Sequence, residues 1–215
     1  MVERLQGELK GATFVDLDGT LLTANSMHIF MHRLPKTLMK RKAIGAAFDC
    51  LWWTALRSMR LVDHRSMKWH LTKVARRHLE DTDWEELAKE MADTVNPSVS
   101  DYIESRRSRG CLTYIATAAA EEYTIPLCRI LGYDGVLATK FTDNISDYEE
   151  LNRHAKHEAI ERLLQDEQLR LESFLTDHTD DLPTAKAYPL FTILVGASQK
   201  TADEFREAGI TRYIS

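Results

Sequence analysis

Apolar runs of strand length recur along this chain with helix-like stretches between them. That alternation restricts the fold more than any other feature. The runs are ATFVDL (12–17), CLTYIAT (111–117), GVLAT (135–139), SFLT (173–176) and FTILV (191–195). Such short continuous apolar runs fit strands buried on both faces. Between them lie EEYTIPLCRILG, opened by two Glu and ended by Gly132, and NRHAKHEAIERLLQDEQ; KTADEFREAG follows the last run. Strands alternating with helices predict an α/β fold, a doubly wound parallel sheet with helices on both faces. Ligands of such sheets bind at the carboxyl ends of strands, where strand order reverses.

Residues 23–98 interrupt the alternation. Their apolar residues fall at helical spacing, and no strand is expected among them. Pro35 is expected at a helix start and Pro97 at the return to the sheet. The predicted organisation is a core of residues 1–22 and 99–215 with a small all-helical cap over 23–98. A chain of 215 residues suffices for one domain with such an insert. The longest apolar candidate, AIGAAFDCLWWTALRSMRLV (43–62), contains Asp49, Arg57 and Arg60 and is a poor membrane span. It reads better as an amphipathic helix, with Trp52 or Trp53 packed in the cap core rather than against a ligand.

Composition excludes some functions. A formal net charge of −5 gives no reason to expect nucleic-acid binding. The charge is unevenly placed, because residues 23–80 hold twelve Lys or Arg against three acids. This basic segment is expected to steer an anionic substrate into the cleft; an acidic membrane surface is the less favoured partner. The charged start, MVERLQGELK, has no apolar stretch of the secretory kind. Cys50, Cys111 and Cys128 are odd in number and form no CxxC pair. Reduced core thiols in a cytoplasmic protein are expected.

The chemistry is concentrated in a few junctions. FVDLDGTLL (14–22) carries an apolar strand into two carboxylates, Asp16 and Asp18. Asp-Gly explains a turn at Asp18–Gly19 but not Asp16, which stands two residues earlier on the same strand face. Like charges that close repel unless a cation or a proton separates them. YIATAAA places Thr117 at a strand end, followed by small residues that let backbone amides approach a ligand. HAKHEAIERLL puts Lys156 in the first turns of a helix, where the dipole disfavours a cation. FLTDHTDDLP crowds Asp177, Asp180 and Asp181 at a strand-to-helix junction. Carboxylates, a hydroxyl and an amine at successive strand ends suit phosphoryl transfer, and a carboxylate nucleophile gives an aspartyl-phosphate.

DLDGT, Thr117, Lys156 and DHTDD, in that order, resemble the four motifs of the haloacid dehalogenase superfamily. The helical insert after the first motif, and DHTDDLP, resemble its phosphoserine-phosphatase-like subgroup. The resemblance implies a Mg²⁺-dependent phosphatase of a small phosphomonoester. Asp16 would be the nucleophile and a Mg²⁺ ligand. Asp18 would be the acid/base and would offer its carbonyl to the metal. Thr117 and Lys156 would hold the phosphoryl oxygens, with Leu17 and Ala118 completing the phosphate cradle. Asp177 would ligate Mg²⁺, and Asp181 with Asp180 would orient metal-bound water. Asn25 and Ala118–Ala119 depart from the subgroup's Glu and paired glycines, which disfavours phosphoserine as the substrate. A phosphotransferase or mutase, and a non-catalytic phospho-ligand binding protein, are the alternatives on the same fold.

Overall fold

The computed structural model describes residues 9–214, so most of the charged start lies outside the described residues. Six parallel strands form one sheet in the order β3-β2-β1-β4-β5-β6. They are β1 (Lys10–Val15), β2 (Leu112–Ala120), β3 (Gly135–Thr139), β4 (Leu169–Thr176), β5 (Thr192–Val195) and β6 (Tyr213–Ile214). The chain steps outward from β1 to β3 and then returns to pair β4 on the other side of β1. Strand order therefore reverses between β1 and β4, and their carboxyl ends flank the crevice that such a reversal opens.

β1 is apolar throughout because both of its faces are covered. Phe14 joins Ala12, Tyr114, Phe174 and the Ile160 side of α7 (Arg153–Asp166) on one face. Val15 joins Ile115, Leu175 and the helices of the other face. Adjacent residues thus anchor opposite layers, as the period of two requires.

Five helices fill the interval between β1 and β2: α1 (Ser26–Lys40), α2 (Ile44–Ser58), α3 (His64–His78), α4 (Asp81–Ala92) and α5 (Pro97–Arg107). Side chains cap three of them. Asn25 accepts the His28 N–H, Asp63 that of Ser66, and Asn96 that of Ser98, with Pro97 at the first helical position. The chain enters and leaves this helical segment through two passages bonded to each other. Thr23 N–H donates to the Thr94 carbonyl (2.8 Å), and Asn96 N–H to that of Leu21 (2.8 Å). Phe30 of α1 packs 5.5 Å from the ring of Tyr123 on α6 (Glu121–Leu131), so helical segment and sheet share one apolar cluster.

Pro35 does not start a helix. It lies inside α1, which Asn25 has already begun ten residues earlier. Its missing N–H forfeits one helical bond, and burial of Leu34, Pro35 and Leu38 offsets that loss. Residues 43–62 form α2 and its exit turn, with a buried side at Ala47 and Cys50. The two tryptophans divide. Trp53 stacks on His70 at 4.2 Å inside the helical segment, whereas Trp52 points out and is 60% exposed. All three cysteines are free; burial pushes the Cys50 thiol up to about 12 and that of Cys128 up to about 11. Among the described residues no helix is long and apolar enough to cross a membrane.

Candidate active site

The carboxyl ends of β1, β2 and β4 bring the sequence-predicted residues to one cavity of about 450 Å³. Asp16, Asp18, Thr117, Lys156, Asp177, Asp180 and Asp181 all line it.

Asp16 is the first residue past β1, and its N–H donates to the Leu175 carbonyl, which ties it to β4. Its side chain is buried, and Oδ1 accepts from Lys156 Nζ at 2.8 Å. Burial drives its carboxyl up to about 7; Asp181 and Asp177 push the same way, and Lys156 opposes them. Lys156 is itself buried. Burial acts against its charge, but Asp16 at 2.8 Å and Asp181 at 2.7 Å outweigh that effect and hold the ammonium above its usual range. A lysine disfavoured by the start of α7 is thus retained by two carboxylates. Asp181 is fixed in turn by Thr176, whose hydroxyl donates to its Oδ2 at 2.7 Å.

Asp18 belongs electrically to α1. Its Oδ1 accepts the Ser26 N–H (2.6 Å) and its Oδ2 the Ser26 hydroxyl (3.0 Å). Burial raises its pKa, while Ser26 and Lys68 restrain the rise. A carboxyl shifted upward and held at a cavity wall keeps its proton more readily than a solvated one. Gly19 has a φ of 81°, and a Cβ placed there would stand 2.2 Å from Asp177 Oδ2. Only glycine allows that approach. Thr20 then donates to Asp177 Oδ1 at 3.1 Å. The DLDGT stretch therefore positions Asp177 as well as its own carboxylates.

Thr117 is buried in β2, and its hydroxyl accepts the Ala119 N–H at 3.0 Å. The Ala118 carbonyl is taken by Thr139 (2.7 Å) and by Lys68 (2.5 Å), and Lys68 also pairs with Glu150 at 2.5 Å. The two adjacent aspartates, Asp180 and Asp181, separate. Asp180 turns outward to Arg153 (2.9 Å), while Asp181 turns inward. Ser26 and Lys68 carry no recognisable motif, and Thr20, although inside DLDGT, has no role that the sequence shows; only the fold reveals the three as partners of the site.

Among the described residues no cluster of three His, Cys, Asp or Glu side chains could hold a metal by itself. A Mg²⁺-type site asks for less, namely one or two carboxylates with water and a carbonyl. Asp16 and Asp177 meet that requirement: both are hard oxygen donors, and Asp177 lies close enough to add to the rise that burial imposes on Asp16, a repulsion that a cation would relieve. The backbone carbonyl of Asp18 completes the candidate donor set.

The fold is a parallel α/β sheet with a helical insert after its first strand, and the arrangement gathers carboxylates, a lysine and a hydroxyl at one cavity. The chain belongs to the haloacid dehalogenase-like hydrolases, whose sequence model matches residues 13–186. No curated protein matches the sequence significantly. Solved structures share the fold at low identity. A Bordetella pertussis protein of unknown function aligns with a TM-score of 0.74 at 16% identity, covering 96% of this chain and 99% of that one. A haloacid-dehalogenase-family hydrolase from Salmonella enterica serovar Typhi aligns at 0.63 and 14%, covering 96% and 68%. A phosphoserine phosphatase held as a phospho-aspartyl intermediate analogue aligns at 0.61 and 16%, covering 96% and 94%.

Proposed function

We propose that this protein is a Mg²⁺-dependent phosphatase that hydrolyses a small phosphomonoester through a phosphoryl-enzyme on Asp16. The observation that carries the reading is the division of labour between the two carboxylates. Asp16 is clamped by Lys156, and Asp18, two residues on, is held by the amide and hydroxyl of Ser26. Asp16 would attack and Asp18 would exchange a proton.

In this reading Asp16 attacks phosphorus and the P–O bond to the leaving alcohol breaks. Protonated Asp18 gives that oxygen its proton. Lys156 and the Thr117 hydroxyl balance charge on the phosphoryl oxygens. Asp18, now ionised, takes a proton from the water that attacks phosphorus of the Asp16 acyl phosphate; the O–P bond to Asp16 breaks, phosphate leaves, the Asp16 carboxylate is freed and Asp18 is protonated again. When bound, Mg²⁺ on Asp16, Asp177 and the Asp18 carbonyl would supply positive charge beside the transferring group. Asp181 positions Lys156. Asp180, engaged by Arg153, has no part in these steps.

A second cavity of about 540 Å³ adjoins the first across Asp18 and Ala118, with walls from the helical segment at Met27, His28, Arg57 and Lys68. It is where we place the leaving alcohol. Asn25 is occupied as the cap of α1, so it offers no carboxylate to a substrate ammonium, and phosphoserine remains disfavoured. The test is a phosphate-release screen over many phosphomonoesters with Mg²⁺. Release from some members supports the reading. No release from any, together with ligand-induced thermal shifts, would make this a binding protein instead.

A further inference from the structure

α2 presents its apolar side to solvent. Ile44, Phe48, Leu51, Trp52 and Met59 are each at least half exposed, from 50% for Leu51 to 67% for Phe48. With the exposed Ala55 they recur at helical spacing and lie within roughly 100° of arc, one continuous row along a helix of about 22 Å. The only acid on α2, Asp49, is bonded to His70 at 2.6 Å. Scattered exposed apolar residues are ordinary, but an uncharged row along a whole helix marks a contact surface. Met39 of α1 and Leu61 past the exit turn are also exposed, at 59% and 68%.

The ends of the row are basic. Lys40 and Lys42 stand exposed at the turn into α2, and Arg60 at the turn out. Among the described residues none of the three forms an ion pair. Lys42 and Arg60 both adopt the left-handed backbone, with φ of 59° and 61°. Glycine or asparagine would fit there with less strain, so basic side chains occupy both turns despite their backbone cost. These residues do not line either cavity at the carboxylates. Arg41, the third of the basic run, is taken by Glu80 and Asp83. Charge at this end of the helical segment therefore does not face the cleft.

We propose that the outer face of α2, with Lys40, Lys42 and Arg60 at its ends, docks this protein on an anionic membrane surface. An interfacial helix needs an apolar face with an aromatic residue at headgroup depth and cations at its margins. Trp52 and the flanking lysines and arginine supply these. Each cation near an anionic bilayer strengthens attachment. A second copy of this chain fits the face poorly. A two-fold pairing brings like surfaces together, and because both ends of the row are basic, parallel or antiparallel contact would set cation against cation.

The test is co-sedimentation of the full chain with phosphatidylglycerol-containing vesicles and with pure phosphatidylcholine vesicles, alongside analytical ultracentrifugation without lipid. Binding to the anionic vesicles only, weakened by high salt, is expected. Phe48→Ser with Trp52→Ser should weaken binding at least about tenfold. Lys40→Gln, Lys42→Gln and Arg60→Gln together should weaken it roughly a hundredfold at low salt. Unchanged melting curves would show that the variants fold. Absence of vesicle binding, binding that both variants leave intact, or a dimer that the Phe48/Trp52 variant dissociates would each overturn the proposal.

Discussion

At the carboxyl end of β1, Asp16, Lys156 and Asp181 lie together beneath the surface, each less than a tenth exposed. On the outer side of α2, five large apolar side chains stand at least half exposed. Each region breaks the ordinary rule for its kind of residue, in opposite directions. Elsewhere many residues obey it: Phe14, Phe30 and Phe174 are buried, and Lys36, Lys73 and Lys200 are not buried. Local rules fail where a surface has work to do. The two exceptions also differ in support. The buried charges satisfy one another through named contacts, whereas the exposed row has no partner within the chain. The first should therefore resist perturbation only while it is complete, and the second should tolerate substitution freely.

The largest test of the buried cluster is Asp16→Asn. The amide keeps the shape of the side chain but cannot form the aspartyl-phosphate. Phosphate release should fall at least ~10³-fold, while vesicle binding through α2 stays unchanged. Retention of a tenth of the activity would remove Asp16 as nucleophile. Loss of vesicle binding alongside activity would show that the two regions are not separable. Chelation should abolish phosphate release as well, with Mg²⁺ restoring it and Ca²⁺ doing so poorly, because Ca²⁺ prefers longer and looser coordination. Full activity after exhaustive chelation would exclude the metal from the mechanism.

Lys156→Ala comes next. It leaves Asp16 and Asp181 buried without their shared cation. Removing one partner of a buried ion pair costs about 3–5 kcal/mol, so chemical denaturation in the absence of metal should show a large drop in stability. A drop below ~1 kcal/mol would mean that water reaches these carboxylates. Ser26→Ala is milder. Asp18 keeps the Ser26 amide and loses only the hydroxyl. Turnover should fall about tenfold, less than for Asp18→Asn, since general acid catalysis contributes ~10²–10⁴ in all. The loss should be greater for alkyl than for aryl phosphates, whose leaving oxygen needs less protonation. Equal losses would make the contact purely structural.

How far these features could be read from the chain depends on whether their cause is local. The five long strands were legible because burial on both faces leaves continuous apolar runs. β6 was not, since two residues beside β5 carry no pattern of their own. Asp16 stood out because no turn explains it, Asp18 because it recurs beside Asp16, and Asp177 because it belongs to an acidic cluster at a strand end. Asp180 and Asp181 looked alike because they are neighbours; a single 3₁₀ turn sends one to Arg153 and the other to Lys156. Pro35 read as a helix start because its own bonding preference is local, while the packing that tolerates it is not. In α2 the amphipathic pattern was visible but its direction was not. Ala47, Cys50 and Trp53 form one apolar side and Ile44, Phe48 and Leu51 another, and spacing alone cannot say which faces inward. Whether the basic residues of 23–80 face the cleft was equally illegible, because that depends on where the turn points; Lys40, Arg41 and Lys42 line neither cavity.

That ambiguity sets up the smallest expected effect. The two sides of α2 should respond oppositely to the same kind of change. Phe48→Ser with Trp52→Ser alters two large apolar residues that contribute little to the folded core, so stability should shift by no more than ~0.5 kcal/mol per site. Ala47→Asp places a charge among buried neighbours only one position away, and it should lower stability by several kcal/mol. Denaturant titration of both variants measures the difference directly. If the outer pair proves as costly as Ala47→Asp, the row on α2 is held by something in the folded chain. The case for an external surface would then lose its premise. If the outer pair is neutral or stabilising, bulky apolar residues persist at positions where folding does not require them, and a contact outside the chain remains the physical reason for their presence.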